Sequence, residues 1–99
     1  MQLSLNDLAQ QTEKLRVDFL KCVLETVQTF IELTEFEIST YNGPHSREGI
    51  AHIEQGLSNI RKVAEQVSSV AERARISKQL TKLEEQAAEL NKRFEAQQH

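Results

Sequence analysis

A chain of 99 residues is one small domain, and 38% hydrophobic with 27% charged residues, three glycines, one proline and no tryptophan describe a mostly helical one. The net charge of −3 argues against a general nucleic-acid binder, and no apolar run approaches the ~20 residues that span a bilayer. The lone Cys22 has no internal disulfide partner and the opening MQLSLNDLAQQ turns polar at once, without the apolar core of a signal peptide, so the expectation is a cytoplasmic all-α protein.

The first predicted helix covers residues 4–40. Ser4 can cap it, Asp7 stands three residues on as in a capping box, and Leu3 can meet Leu8 as a hydrophobic staple. Its apolar residues run Leu8, Leu15, Phe19, Leu20, Val23, Leu24, Val27, Phe30, Ile31 and Ile38, at helical spacing. From Phe19 to Ile38 they cover about half the circumference at ~100° per residue, an arc wide enough for two neighbours. Cys22 reads as a small apolar filler at the edge of that core. Glu32, Glu35 and Glu37 oppose the helix dipole, and no Lys or Arg between Cys22 and Ser46 offsets them. A basic partner surface and plain solubility both account for this acidic end.

The run YNGPHS then stops the helix. Asn42-Gly43 can take the left-handed conformation that ends a helix, and Pro44 cannot continue one, which predicts a turn over 41–45 and a second helix capped by Ser46. That helix, expected over 46–75, carries a heptad seam. Ile50, Leu57, Ala64 and Ala71 fill one position and Ile53, Ile60, Val67 and Ala74 the other. Gly49 and Gly56 flank the seam on one column. A glycine inside a helix costs ~1 kcal/mol against alanine, so the pair implies close approach of the first helix.

After Ala74 the heptad asks for apolar residues where Lys78 and Thr81 stand, and the apolar series resumes at Leu80, Leu83, Ala87, Leu90 and Phe94. Two architectures follow. A break near Ser77 folds residues 78–97 back as a third helix. A continuous helix instead overshoots the first one and exposes four large side chains, which a second chain must cover at ~1.5–3 kcal/mol each. Helix-compatible residues over 75–83 favour the long helix. The resulting expectation is an antiparallel helical hairpin assembling into a helical bundle or coiled-coil dimer. Leu80, Leu83, Leu90 and Phe94 are its interface anchors. Arg73, Arg75 and Lys78, in a basic run that continues to Lys82, form its rim.

Catalytic signatures are missing: there is no Ser-His-Asp context, phosphate loop or zinc-type cysteine pair. His52 falls off the seam, on a polar face. His45, Glu48 and His52 lie on roughly one side of the helix start, a donor set for zinc or nickel, though His45 stands outside the helix.

Two resemblances bear on function. The segment AHIEQG (51–56) resembles the His-x-x-x-Gly stretch of histidine phosphotransfer domains, which implies His52 as an exposed phosphoryl carrier and Gly56 as room for the phosphate. Gln55 stands where that family usually has lysine, and Glu54 where it has an apolar residue. Tyr41-Asn42-Gly43 resembles the Trp-x-Gly turn of small hairpins of type VII secretion, with Tyr for Trp and without their Tyr-x-x-x-acid export signal. The resemblance implies a secreted helical hairpin. The residues favour a third expectation: a non-catalytic helical interaction module, an oligomer with a protein partner and no cofactor, metal, nucleic acid, membrane or small-molecule substrate.

Overall fold

The long apolar arc of the first segment needs two partners, and it has them. The computed structural model describes residues 5–98, and side chains from residue 8. Helix α1 runs Leu5–Ser39, α2 Gly43–Ala64 and α3 Val70–Gln97. The three form an elongated bundle, 61 Å in its longest dimension, in which α2 is antiparallel to α1 and α3 is parallel to it. The Ser4 cap, the Leu3–Leu8 staple and the side chain of Asp7 lie outside the described residues.

The core is drawn from every element. Leu20, Val27, Ile31 and Ile38 of α1, Ile53 and Ile60 of α2, and Ile76 and Leu90 of α3 are almost fully buried, and so is Val67 in the link between α2 and α3. Leu80, Leu83 and Phe94 join them. The two glycines of α2 sit where α1 comes closest. A Cβ on Gly56 would lie 2.5 Å from Val27 Cγ2, and one on Gly49 would collide with the Thr34 side chain. The expected close approach is thus real, and it is made by two β-branched side chains, which have little freedom to move aside.

The α1–α2 turn is tighter than the sequence predicts. Tyr41, not Asn42 or Gly43, takes the left-handed conformation, with φ 60°. The amide of Asn42 donates to Glu37 O at 2.9 Å and that of Tyr41 to Ile38 O at 3.0 Å, the pairing of a Schellman end. Gly43 then opens α2, and Pro44 sits in its first turn, where a missing N–H costs nothing. Ser46 is therefore inside the helix rather than its cap. It is fully buried, and its hydroxyl donates back to Asn42 O at 2.8 Å.

The main correction concerns the second half. The continuous helix over 46–75 and beyond does not form, and neither does a break at Ser77. The chain leaves helix after Ala64 and re-enters it at Val70. Ser69 caps α3 by accepting from Glu72 N at 3.3 Å. The exposed amides of the link find partners far away in sequence. Glu13 Oε1 on α1 accepts from Ser68 N at 2.9 Å and Ser69 N at 3.2 Å. Arg73 donates through Nε and Nη2 to Val67 O, and Arg16 Nη1 donates to Gln66 O at 3.4 Å. Breaking the helix loses a few backbone bonds, most of which these groups replace. It turns the whole α3 stripe inward, where each large side chain contributes ~1.5–3 kcal/mol. The heptad members Ala71 and Ala74 end up exposed on α3.

Two outcomes follow. Gly56→Ala lowers the melting temperature, although alanine is the better helix former, because overpacking against Val27 costs about 1–3 kcal/mol against the ~1 kcal/mol of propensity gained. Glu13→Ala destabilises the chain by about 1.5–3 kcal/mol, the range for hydrogen bonds to a charged group. Both are read by urea titration, and a Gly56→Ala chain that melts higher would contradict the first.

Candidate docking surface

α1 supplies more apolar surface than α2 and α3 cover. Its outer face repeats at alternating steps of four and three: Leu8, Thr12, Leu15, Phe19, Cys22, Thr26, Thr29, Leu33, Phe36 and Thr40. All ten positions are exposed, and none carries a charge. Leu8, Leu15, Phe19, Leu33 and Phe36 keep between 45% and 69% of their surface accessible. Single exposed leucines are ordinary, but five large apolar side chains on one uncharged row, in two groups separated by Cys22, Thr26 and Thr29, make a candidate interaction face. A 3–4 repeat is the spacing by which one helix packs into another.

The threonines of the row belong to it chemically. Thr12 donates its hydroxyl to Leu8 O, Thr26 to Cys22 O, Thr29 to Glu25 O and Thr40 to Phe36 O, at 2.9–3.1 Å. Each hydrogen is used inside the helix, so covering this face strands no hydroxyl donor. Cys22 lies in the middle of the row with a free thiol, on the outer surface and not at the core edge the sequence suggests.

The edges of the row are charged. Asp18, Glu25 and Glu32 line one side, and the ion pairs among the described residues lie elsewhere. Arg16, Val23, Phe30 and Glu37 line the other, where the imidazole of His52 stacks on Phe30 with ring centroids 5.2 Å apart.

The residues expected at an interface lie elsewhere. Leu80, Leu83, Leu90 and Phe94 are buried against α1 and α2 of their own chain, with Arg47 of α2 6.0 Å over the Phe94 ring. The overshooting helix that made them anchors for a second chain is absent, so this packing leaves them no free surface. Of the expected rim, Arg73 holds the Val67 carbonyl, Arg75 pairs with Glu72, and Lys78 is exposed.

His52 is half-exposed, with Nε2 3.6 Å from Glu48 Oε1. His45 turns instead toward α1, its Nδ1 4.0 Å from Glu37 Oε1. The trio of His45, Glu48 and His52 does not converge, and among the described residues no group of three His, Cys, Asp or Glu side chains is placed to hold a metal ion. Gly56, which the phosphotransfer resemblance assigns to phosphate, has its open side against Val27. No helix among the described residues is long and apolar enough to cross a membrane.

Leucine-to-alanine substitutions separate core from outer face. Leu83→Ala and Leu90→Ala each cost about 2–5 kcal/mol, independent of protein concentration, whereas Leu33→Ala changes the stability of the isolated fold by no more than about 0.5 kcal/mol. Urea titrations at two protein concentrations read both.

Comparison of the chain with protein-family models, with curated proteins and with solved structures finds no match.

Proposed function

We propose that the chain is a non-catalytic helical interaction module, a small scaffold or adaptor that meets a protein partner through the outer face of α1 and works as an oligomer. The observation that carries this reading is the unbroken, uncharged and exposed 3–4 row from Leu8 to Thr40. A helix laid along it would bury Leu15, Phe19, Leu33 and Phe36, each contributing ~1.5–3 kcal/mol before the costs of association. The row lacks what a membrane-surface helix requires. Asp18, Glu25, Glu32 and Glu37 on its edges are carboxylates, which an anionic bilayer repels, and Arg16 is the one cation there, short of the Lys and Arg that bind one. The unpaired thiol in the row suits a reducing compartment such as the cytoplasm.

The test is sedimentation velocity at micromolar concentration, paired with titration of a labelled synthetic helix that has a leucine seam and glutamine flanks. The native chain is expected to self-associate or to bind the peptide. The Phe19→Glu/Leu33→Glu chain, altered only at exposed positions, keeps its circular dichroism and melt and does neither. A native chain that stays monomeric and ignores the peptide overturns the reading.

A further inference from the structure

We infer that the occupant of this face is an amphipathic helix of another protein, with an apolar seam and one flank on which Lys or Arg recurs at heptad spacing. The inference rests on the docking reading above and goes further by naming the chemistry of the partner.

The spacing of the charged edge is the first argument. Asp18, Glu25 and Glu32 fall one heptad apart, so they occupy a single flanking position beside the row. All three are exposed, and the ion pairs among the described residues use none of them. Lys21, Arg75 and Lys82 share the α1–α3 groove with Glu25, yet none pairs with it, and Arg75 is taken by Glu72. The three carboxylates span two heptads, about 21 Å of helix axis. A helix packed along the row lays its own flanking position beside them, which is where opposite charges select a partner in paired helices. The other edge differs. Between Arg16 and Glu37 it presents Val23 and Phe30, both packed against the core. A partner therefore meets carboxylates on one flank and apolar surface on the other, which fits a helix that is cationic on one flank only.

The second argument weighs the alternatives. A second copy laid along the row brings only the same two edges. Antiparallel packing sets the Asp18, Glu25 and Glu32 edge against itself, and parallel packing sets it against the edge of Val23 and Phe30. Arg16 is the one cation on either edge, so a copy can answer at most one of the three carboxylates, and its Nη1 already donates to Gln66 O. Like charges across a flank reject a wrong partner as firmly as opposite charges favour the right one. The field reaches beyond the three residues. Past Cys22, α1 also carries Glu35 and Glu37 without a Lys or Arg, and beside Glu35 the α3 side chains Lys82, Glu85, Glu89 and Arg93 cancel.

Titration of the full chain with three labelled synthetic helices tests the inference. They share one leucine seam and carry Lys, Gln or Glu at one flanking position. The Lys helix is expected to bind roughly tenfold tighter than the Gln helix at low salt and the Glu helix more weakly than either, with the spread closing at high salt. In Asp18→Lys/Glu25→Lys/Glu32→Lys the order reverses. In Glu54→Lys/Glu89→Lys/Glu95→Lys, which changes the net charge equally at exposed positions off the row, the order stays. Circular dichroism checks that both variants fold, and the salt dependence of the native chain carries the test if the first does not. Equal binding of the three helices overturns the inference while the docking reading stands, and so does a preference that the off-row variant also loses. A dimer by sedimentation that Phe19→Glu/Leu33→Glu abolishes and the Lys helix fails to displace gives the face to a second copy and overturns it. Binding to phosphatidylserine vesicles that the same variant abolishes gives the face to a lipid surface, with the same consequence. A chain that stays monomeric and binds none of the helices removes both proposals.

Discussion

The return of α3 along α1 is fastened at the α2–α3 link by one carboxylate. Glu13, on the first helix, receives two backbone amides from a link more than fifty residues away, at the point where the second helix stops. The start of a helix presents amides without partners inside the helix, and a carboxylate placed there accepts from them in charge-assisted bonds. By satisfying Ser68 and Ser69, Glu13 makes the interruption between Ala64 and Val70 tolerable. Arg73 completes the arrangement from the other side by holding the Val67 carbonyl. With the link secured, α3 can return along α1 and bury Ile76, Leu80, Leu83, Leu90 and Phe94.

Much of this was legible in the residues, and the failures have identifiable causes. The half-circumference arc of α1 correctly implied two neighbours, and the glycine column correctly implied close approach of α1 to α2. The end of α2 was not legible because the heptad through Ala64, Val67, Ala71 and Ala74 continues across the break, and small apolar residues satisfy a helix interior and a link equally well. A local signal did exist. Ser69 followed three residues later by Glu72 has the spacing of a capping box, and it marks the true start of α3 more clearly than Ser77 marks the expected one. The contact with Glu13 is invisible locally, since it joins positions 55 and 56 residues apart. Once the long helix is gone, the C-terminal stripe no longer calls for a second chain.

The outer row of α1 escaped notice for a different reason. Leu15 and Phe19 share helical spacing with the core and were counted in it, while threonine reads as polar until its hydroxyl is seen to be occupied. The structure separates two interleaved stripes on one helix. One centres on Leu20, Val27 and Ile31 and builds the core; the other centres on Phe19, Cys22 and Leu33 and faces out. A helix serving both purposes constrains its sequence twice. Its residues fit the α2 glycines on one side and present an uncharged surface on the other. Asp18, Glu25, Glu32, Glu35 and Glu37 fall in the strips between, whereas Glu13 lies on the core side against the link.

An odd number of helices has a geometric consequence. α1 begins at one pole of a body 61 Å long, and α3, tied down by Gln97 Nε2 donating to Ile38 O at 2.8 Å, finishes at the other. The polypeptide thus passes through the bundle from end to end instead of returning to its origin. Cargo fused before α1 and cargo fused after α3 would be held apart by roughly the length of the rod.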